Sequence, residues 1–342
     1  MTKLSELGWD EFFAAQLTEE EKTEIAAAGS PALAPVRVIA EQKRYYRVDG
    51  EQGEAWAELS GKLSFDTLKR AELPAVGDWV LAQLRGGEGR GTIQRVLARR
   101  TKFSRKAAGE VEAEQIVATN IDVAFVVMAL NQDFNVARLE RYLTVVAQSG
   151  ASPVILMTKR DLCADLPARL AEIEAAARGV PLPLLGSSGV GKSTLVNTLA
   201  GEQLQDTAEV RESDGRGRHV TTYRRLLILK QGLLIDTPGM RELHIWEGDD
   251  AVAASFEDIE ELGRSCKFSN CAHESEPGCA VKAALEAGTL DARRHANYLK
   301  LQREGAFQAR KNDKVAASEE KKRWRKIHQV QKKNYKNKIR PE

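Results

Sequence analysis

Nine consecutive residues, Gly186-Ser187-Ser188-Gly189-Val190-Gly191-Lys192-Ser193-Thr194, carry the strongest chemical signal in the chain. They fit G-x-x-x-x-G-K-[ST], the loop that cradles phosphate. Its glycines let successive backbone N–H groups turn inward around phosphate oxygens, and the following helix N-terminus adds partial positive charge. Lys192 is placed to reach the β- and γ-phosphates, and the Ser193 hydroxyl to ligate Mg²⁺. The motif requires a strand before it and a helix after it; residues 180–185 and 195–200 have those patterns. A second cluster lies farther on. Cys266-x4-Cys271-x-His273-x5-Cys279 offers three thiolates and one imidazole within 14 residues. Four ligands of this softness suit tetrahedral Zn²⁺ and leave no position for water, which predicts one structural ion. Ser269, Asn270, Pro277 and Gly278 supply the turns that wrap it, and Cys163 stands apart as incidental.

Two further stretches complete a nucleotide site. Asp236-Thr237-Pro238-Gly239 follows an apolar strand pattern and lies 44 residues beyond Lys192. In this D-x-x-G arrangement Asp236 can hold Mg²⁺ through water, and the Gly239 N–H can meet a γ-phosphate. Thr158-Lys159-Arg160-Asp161 resembles the guanine-reading N-K-x-D. The Asp161 carboxylate can accept from both N–H groups on the guanine edge, and the Lys159 stem can cover the base. Thr158 replaces the usual Asn and would offer a hydroxyl in its place. No water-orienting Gln follows Gly239; the residue there is Met240. His219, in the glycine- and charge-rich stretch 211–222, is the candidate that would accept a hydrogen bond from attacking water. Thr221 or Thr222, the latter favoured, would close on Mg²⁺ and the γ-phosphate.

The elements that must position these residues follow from the pattern. Short alternating runs at 36–39, 44–48, 55–59, 79–82 and 91–97, separated by turn signals, predict a small barrel of the OB type. Lys43, Arg44, Arg47, Lys62, Lys69, Arg70, Arg99 and Arg100 would give it an RNA-facing surface. Residues 101–115 read as a connecting loop. Apolar strand patterns at 121–130 and 153–157, each followed by a helical pattern (135–147 and 166–178), predict a parallel α/β sheet binding ligand at its carboxyl ends. The first 30 residues read as a peripheral helix or arm around Trp9, Phe12, Phe13 and Leu17, and helices are expected near 281–287 and 292–301. The expected division is an extension at 1–30, the barrel at 31–104, the α/β domain at 105–247, a zinc-binding helical domain at 248–305 and a basic tail at 306–342.

Composition limits the classes. The chain has 342 residues and a net charge of +2, yet residues 310–342 carry 13 Lys/Arg against 4 Asp/Glu. Basic runs with interleaved Trp324 and Tyr335 point to RNA, through phosphate pairing and stacking. No apolar run nears the ~20 residues that span a bilayer, and the first residues lack a signal-peptide pattern, so a cytoplasmic protein is expected.

The order of the motifs is unusual, because the N-K-x-D-like stretch precedes the phosphate loop. The chain therefore looks like a circularly permuted P-loop GTPase with an α/β core, an N-terminal OB-type barrel and a C-terminal zinc-binding helical domain. Stretches 158–161, 186–194, 219–222, 236–239 and 266–279 together resemble the ribosome small-subunit-dependent GTPase family (RsgA, also called YjeQ), over nearly the whole chain. The resemblance implies hydrolysis of GTP to GDP stimulated by the 30S subunit, contact with 16S rRNA, late small-subunit maturation, Mg²⁺ with the nucleotide, and a monomer without membrane attachment. It points to His219 as the catalytic residue. One departure stands out. Only 24 residues separate Asp161 from Gly186, where the family usually has a further strand, a Ser-Ala-Leu-type guanine loop and another helix. Relaxed base choice, or a nucleotide-gated RNA-binding module with little turnover, are the alternatives this leaves open.

Overall fold

The computed structural model describes residues 3–27, 31–42, 45–67, 70–85, 89–106, 114–132, 134–177, 180, 192–201, 224–229, 232–237, 249–273 and 276–307. The chain divides into two compact units, Met1–His244 and Ile245–Glu342.

The first unit begins with a 3₁₀ turn at Leu4–Leu7 and two short helices, α1 (Glu11–Ala14) and α2 (Glu19–Ala26). Asp10 caps α1, and Thr18 caps α2 in a reciprocal box with Glu21. The barrel follows: β1 (Ala32–Gln42), β2 (Tyr45–Asp49), β3 (Ala55–Leu59), α3 (Gly61–Asp66), β4 (Trp79–Arg85) and β5 (Arg90–Val96). The long β1 pairs with both β2 and β4, β3 pairs parallel with β5, and β5 pairs with β4, so the five strands close. Closure leaves no barrel edge. A register shift in β1 between Val38 and Ala40 lets one strand serve two partners. The inward residues Val36, Val38, Tyr46, Val48, Val80 and Ile93 form the barrel core.

The N-terminal segment departs from its expected peripheral role. Leu7 and Phe13 are buried in a cluster with Leu33, Trp79 and Leu81, and Trp9 meets the Trp79 ring edge-on with 4.7 Å between centroids. The alternating strands leave an apolar outer patch beside Trp79, which this segment covers.

Arg37 joins these layers. Its guanidinium is buried and donates to the Leu7 carbonyl, to Gly77 O at 3.2 Å and to Asn120 O at 3.1 Å. Burial pushes its pKa down to about 10, with Asp122 and Asp78 opposing the shift. Gly77, at φ +98°, passes so close to Thr119 that a Cβ would lie 2.2 Å from its carbonyl oxygen.

Residues 101–115 contain strand structure where a loop is expected. β6 (Lys102–Lys106) and β7 (Glu114–Thr119) pair as an antiparallel ribbon. The first of these strands reads Lys102-Phe103-Ser104-Arg105-Lys106, with one apolar residue among five. Hydrophobic alternation therefore carries almost no signal there, and pairing with β7 is what makes it a strand. The α/β portion comprises β8 (Val123–Ala129), α4 (Val136–Ser149), β9 (Ser152–Thr158), α5 (Leu166–Ala176), α6 (Lys192–Ala200), β10 (Arg225–Leu229) and β11 (Gly232–Asp236). Strands β8 and β9 pair in parallel from Val123↔Ser152 to Ala129↔Thr158. Asn135 caps α4, Gly150 ends it in the left-handed conformation, and Asp165 caps α5. β10 and β11 form an antiparallel pair, and Arg225 bridges to Ala40 of β1.

The second unit contains α7 (Asp249–Ser255), α8 (Glu257–Arg264), α9 (Ala280–Glu286) and α10 (292–307). Helices α7 and α8 are additions to what the sequence pattern predicts. Phe256 and Ile259 are buried there, and Arg294 clamps Asp258 with two bonds of 2.6 and 2.8 Å.

Arg37→Met keeps the length but removes every donor; the Leu7 and Asn120 carbonyls lose the guanidinium, while Gly77 O keeps the Asn120 side-chain amide at 3.0 Å. The expected loss is about 3 kcal/mol, read as a lower urea midpoint for the transition that exposes Trp79.

Candidate nucleotide and metal sites

The Thr158-Lys159-Arg160-Asp161 corner forms at the carboxyl end of β9. Thr158 is buried, and its hydroxyl donates to the Met128 carbonyl of β8 at 3.3 Å, while Leu130 N donates to Thr158 O at 2.8 Å. The hydroxyl therefore helps hold the β8–β9 pair together. Lys159 is buried and has φ +56°, a left-handed conformation that costs a non-glycine residue energy. The twist turns the chain out of the strand, so that Arg160 and Asp161 emerge exposed in a 3₁₀ turn, Arg160–Leu162. A strained lysine with an acceptor-only carboxylate two residues on suits a ligand that stacks and donates N–H groups.

Asp236 ends β11 and is buried. Lys192, Ser193 and Thr194 open α6, as the phosphate motif requires of its helix, and Val196 is buried on it. The strand pattern 181–185, the loop residues Gly186, Ser187, Ser188, Gly189, Val190 and Gly191, together with His219, Thr221, Thr222, Gly239 and the tail 310–342, lie outside the described residues.

The metal cluster is assembled in full. One ligand atom from each of Cys266, Cys271, His273 and Cys279 lies within 4.8 Å of every other. Cys266 Sγ and Cys279 Sγ are 3.8 Å apart, and His273 Nδ1 is 3.6 and 3.5 Å from them. A tetrahedral Zn²⁺ with S and N bonds of ordinary length has edges of about 3.8 Å (S–S) and about 3.6 Å (S–N), so the donor set fits zinc. Local geometry builds the cage. His273 takes φ +62°, Gly278 takes φ +74°, and Cys279 caps α9 by accepting from Lys282 N at 3.4 Å. Burial works against the Cys266 thiolate, but the N–H groups of Val281 and Ala280 hold its pKa below the usual thiol value. Burial pushes the Cys271 thiol up to about 11. Neighbouring thiols cannot all ionise without a cation among them.

The barrel's basic residues divide. Arg99 grips buried Asp78 at 2.7 and 2.8 Å and donates to Ala71 O and Leu73 O. It braces the barrel, which corrects the expectation of an RNA-facing role. Arg100 pairs with Asp10 at 2.5 Å and lies over Phe12 and Phe13, so it is also engaged. Arg47 pairs with Glu54. Lys62 and Arg70 are exposed, and Lys43, Arg44 and Lys69 lie outside the described residues.

A closed OB-type barrel, the Thr158-Lys159-Arg160-Asp161 corner placed before the phosphate-loop helix and a Cys₃His cluster define a circularly permuted GTPase. Comparison with known proteins agrees. The RsgA GTPase family matches residues 96–185 and 167–246. The chain is 45% identical to "Small ribosomal subunit biogenesis GTPase RsgA" of Opitutus terrae, covering 96% of each chain, and 44% identical to "Small ribosomal subunit biogenesis GTPase RsgA 2" of Listeria monocytogenes, covering 95% of each. Two solved structures share the fold, each 24% identical with a TM-score of 0.56. One is YloQ, described as a circularly permuted GTPase, covering 81% of this chain and 96% of its own; the other is YjeQ from Thermotoga maritima, covering 80% and 99%. The chain belongs to the RsgA GTPase family.

The two matched stretches overlap over 167–185.

The purified protein is expected to carry one equivalent of zinc by atomic absorption. Cys279→Ser should lose most of it, since one thiolate and the cap of α9 are altered together.

Proposed function

We propose that this protein hydrolyses GTP to GDP and phosphate in association with the small ribosomal subunit during its late maturation. The observation that carries the reading is the Lys159–Asp161 corner at the carboxyl end of a parallel strand, in a chain whose relatives are named for small-subunit biogenesis. Asp161 accepts from the guanine edge while the Lys159 stem covers the base. The backbone N–H groups of residues 186–191 and the N-terminus of α6 receive the phosphates, with Lys192 on the β- and γ-oxygens. Ser193, Thr222 and, through water, Asp236 are the residues that would hold Mg²⁺, which when bound neutralises phosphate charge. His219 orients the attacking water in place of a glutamine. Gly239 follows the γ-phosphate, so its loss on hydrolysis reaches the segment beyond.

The subunit is met through its RNA. The tail 310–342 pairs with 16S rRNA phosphates, and the barrel adds a second contact. Zinc in the Cys266, Cys271, His273 and Cys279 cage is structural. The protein acts as a monomer in the cytoplasm; among the described residues no helix is long and apolar enough to cross a membrane.

A second reading has one observation in its favour. The shortened stretch between Asp161 and Gly186 leaves base discrimination to the Thr158-Lys159-Arg160-Asp161 corner, which favours an NTPase of broader base choice. Calorimetry with GDP and ADP separates the two: a strong guanine preference supports the first, equal binding the second.

His219→Ala should leave GTP binding within about twofold and slow 30S-stimulated turnover by about 100-fold or more; unchanged turnover rejects the role. Asp161→Ala should cut the preference for GDP over ADP by at least about tenfold, or about 1.4 kcal/mol. Removal of residues 308–342 should weaken 30S binding and flatten its salt dependence, with an unaltered slope counting against the tail.

A further inference from the structure

The barrel's outer face carries a feature that the basic residues alone do not explain. Tyr45 on β2 and Trp56 on β3 are 55% and 41% exposed, although large aromatic side chains are mostly buried where they can be. They line a cleft of about 530 Å³ together with Glu58, Arg85, Arg90 and Thr92. The register makes this arrangement fixed. Arg47, Trp56 and Arg90 align across β2, β3 and β5, and strand alternation sends all three outward, opposite Val48, Ala57 and Ile93. The backbone at Trp56 is further held by its N–H, which donates to Gly89 O at 2.9 Å. Arg85 and Arg90 are exposed, and no ion pair engages either among the described residues.

We propose that this cleft binds an unpaired RNA nucleotide, with its base stacked on Trp56 and Tyr45 and its flanking phosphates on Arg85 and Arg90. The proposal deepens the reading of a ribosomal RNA partner and rests on it. Two flat π-faces beside guanidinium groups that no ion pair engages among the described residues match a single strand, whose bases are free to stack. A duplex keeps its base faces covered, and it would meet only the arginines. An acidic protein segment would find the same two arginines but would leave the aromatic faces unused. Among the described residues Glu58 is the single carboxylate of the lining. It is an acceptor only, so it suits a base edge bearing an amino group, as in adenine, cytosine or guanine, and disfavours the carbonyl groups of uracil, which has no amino group.

The test uses the full chain with fluorescently labelled single-stranded RNA octamers, oligo(A) and oligo(U), and a 12-base-pair RNA duplex, by anisotropy at fixed salt. Cosedimentation with 30S subunits is measured in parallel. Trp56→Ala should weaken oligo(A) binding by about fivefold or more, Trp56→Phe should restore most of it, and duplex binding should not change for either. Arg90→Ala should lower the salt slope by about one phosphate contact. Oligo(A) should bind more tightly than oligo(U). The proposal is overturned if wild type captures no single strand, if Trp56→Ala binds oligo(A) as wild type does, or if Trp56→Ala weakens the duplex equally. A wild type that binds oligo(A) through Trp56 but ignores 30S subunits keeps the cleft as an RNA site and rejects the ribosomal reading instead. Circular dichroism melting of each variant identifies loss through misfolding, and Trp56→Phe then decides the outcome.

Discussion

A buried guanidinium holds the first unit together. Arg37 leaves the middle of the longest strand and donates to carbonyls from three separate segments: the N-terminal turn at Leu7, the loop before β4 at Gly77, and Asn120 at the entry to the α/β portion. Each acceptor is a backbone group that needs a partner once it leaves water, so the three segments must meet for the guanidinium to be satisfied. Gly77 and Thr119 then approach to a distance that excludes any side chain. The barrel and the strand that leads toward the nucleotide corner are thereby fixed to one another through hydrogen bonds and close packing.

Two kinds of site are built by different means. The metal cage is local, with all four ligands inside 14 residues, and left-handed turns at His273 and Gly278 do the folding. The nucleotide corner is non-local. Its Lys159 conformation depends on β9 lying beside β8, and Thr158 uses its hydroxyl to secure that pairing.

Conversely, the arginines of the barrel show how composition misleads. Arg99 and Arg100 look like the rest of a basic surface in sequence, yet one braces Asp78 and the other covers Phe12 and Phe13. Tyr45 and Trp56 have the side chains of core residues, yet they face outward. A strand alternates strictly, so a side chain's direction follows from register, and register depends on which strands close the barrel.

Motif order, the Cys₃His ligand set, the five barrel strands and the α/β alternation were all legible along the unfolded chain, because each rests on short-range spacing or on periods of two and 3.6 residues. Other features waited on the folded molecule. The first residues join the core around Trp79, residues 101–115 contribute a strand ribbon, and α7 and α8 pack around Phe256. Which cations are engaged and which aromatic rings stay exposed were settled there too. Those outcomes depend on partners far apart in the chain, and burial and pairing over such separations are not written into any local window.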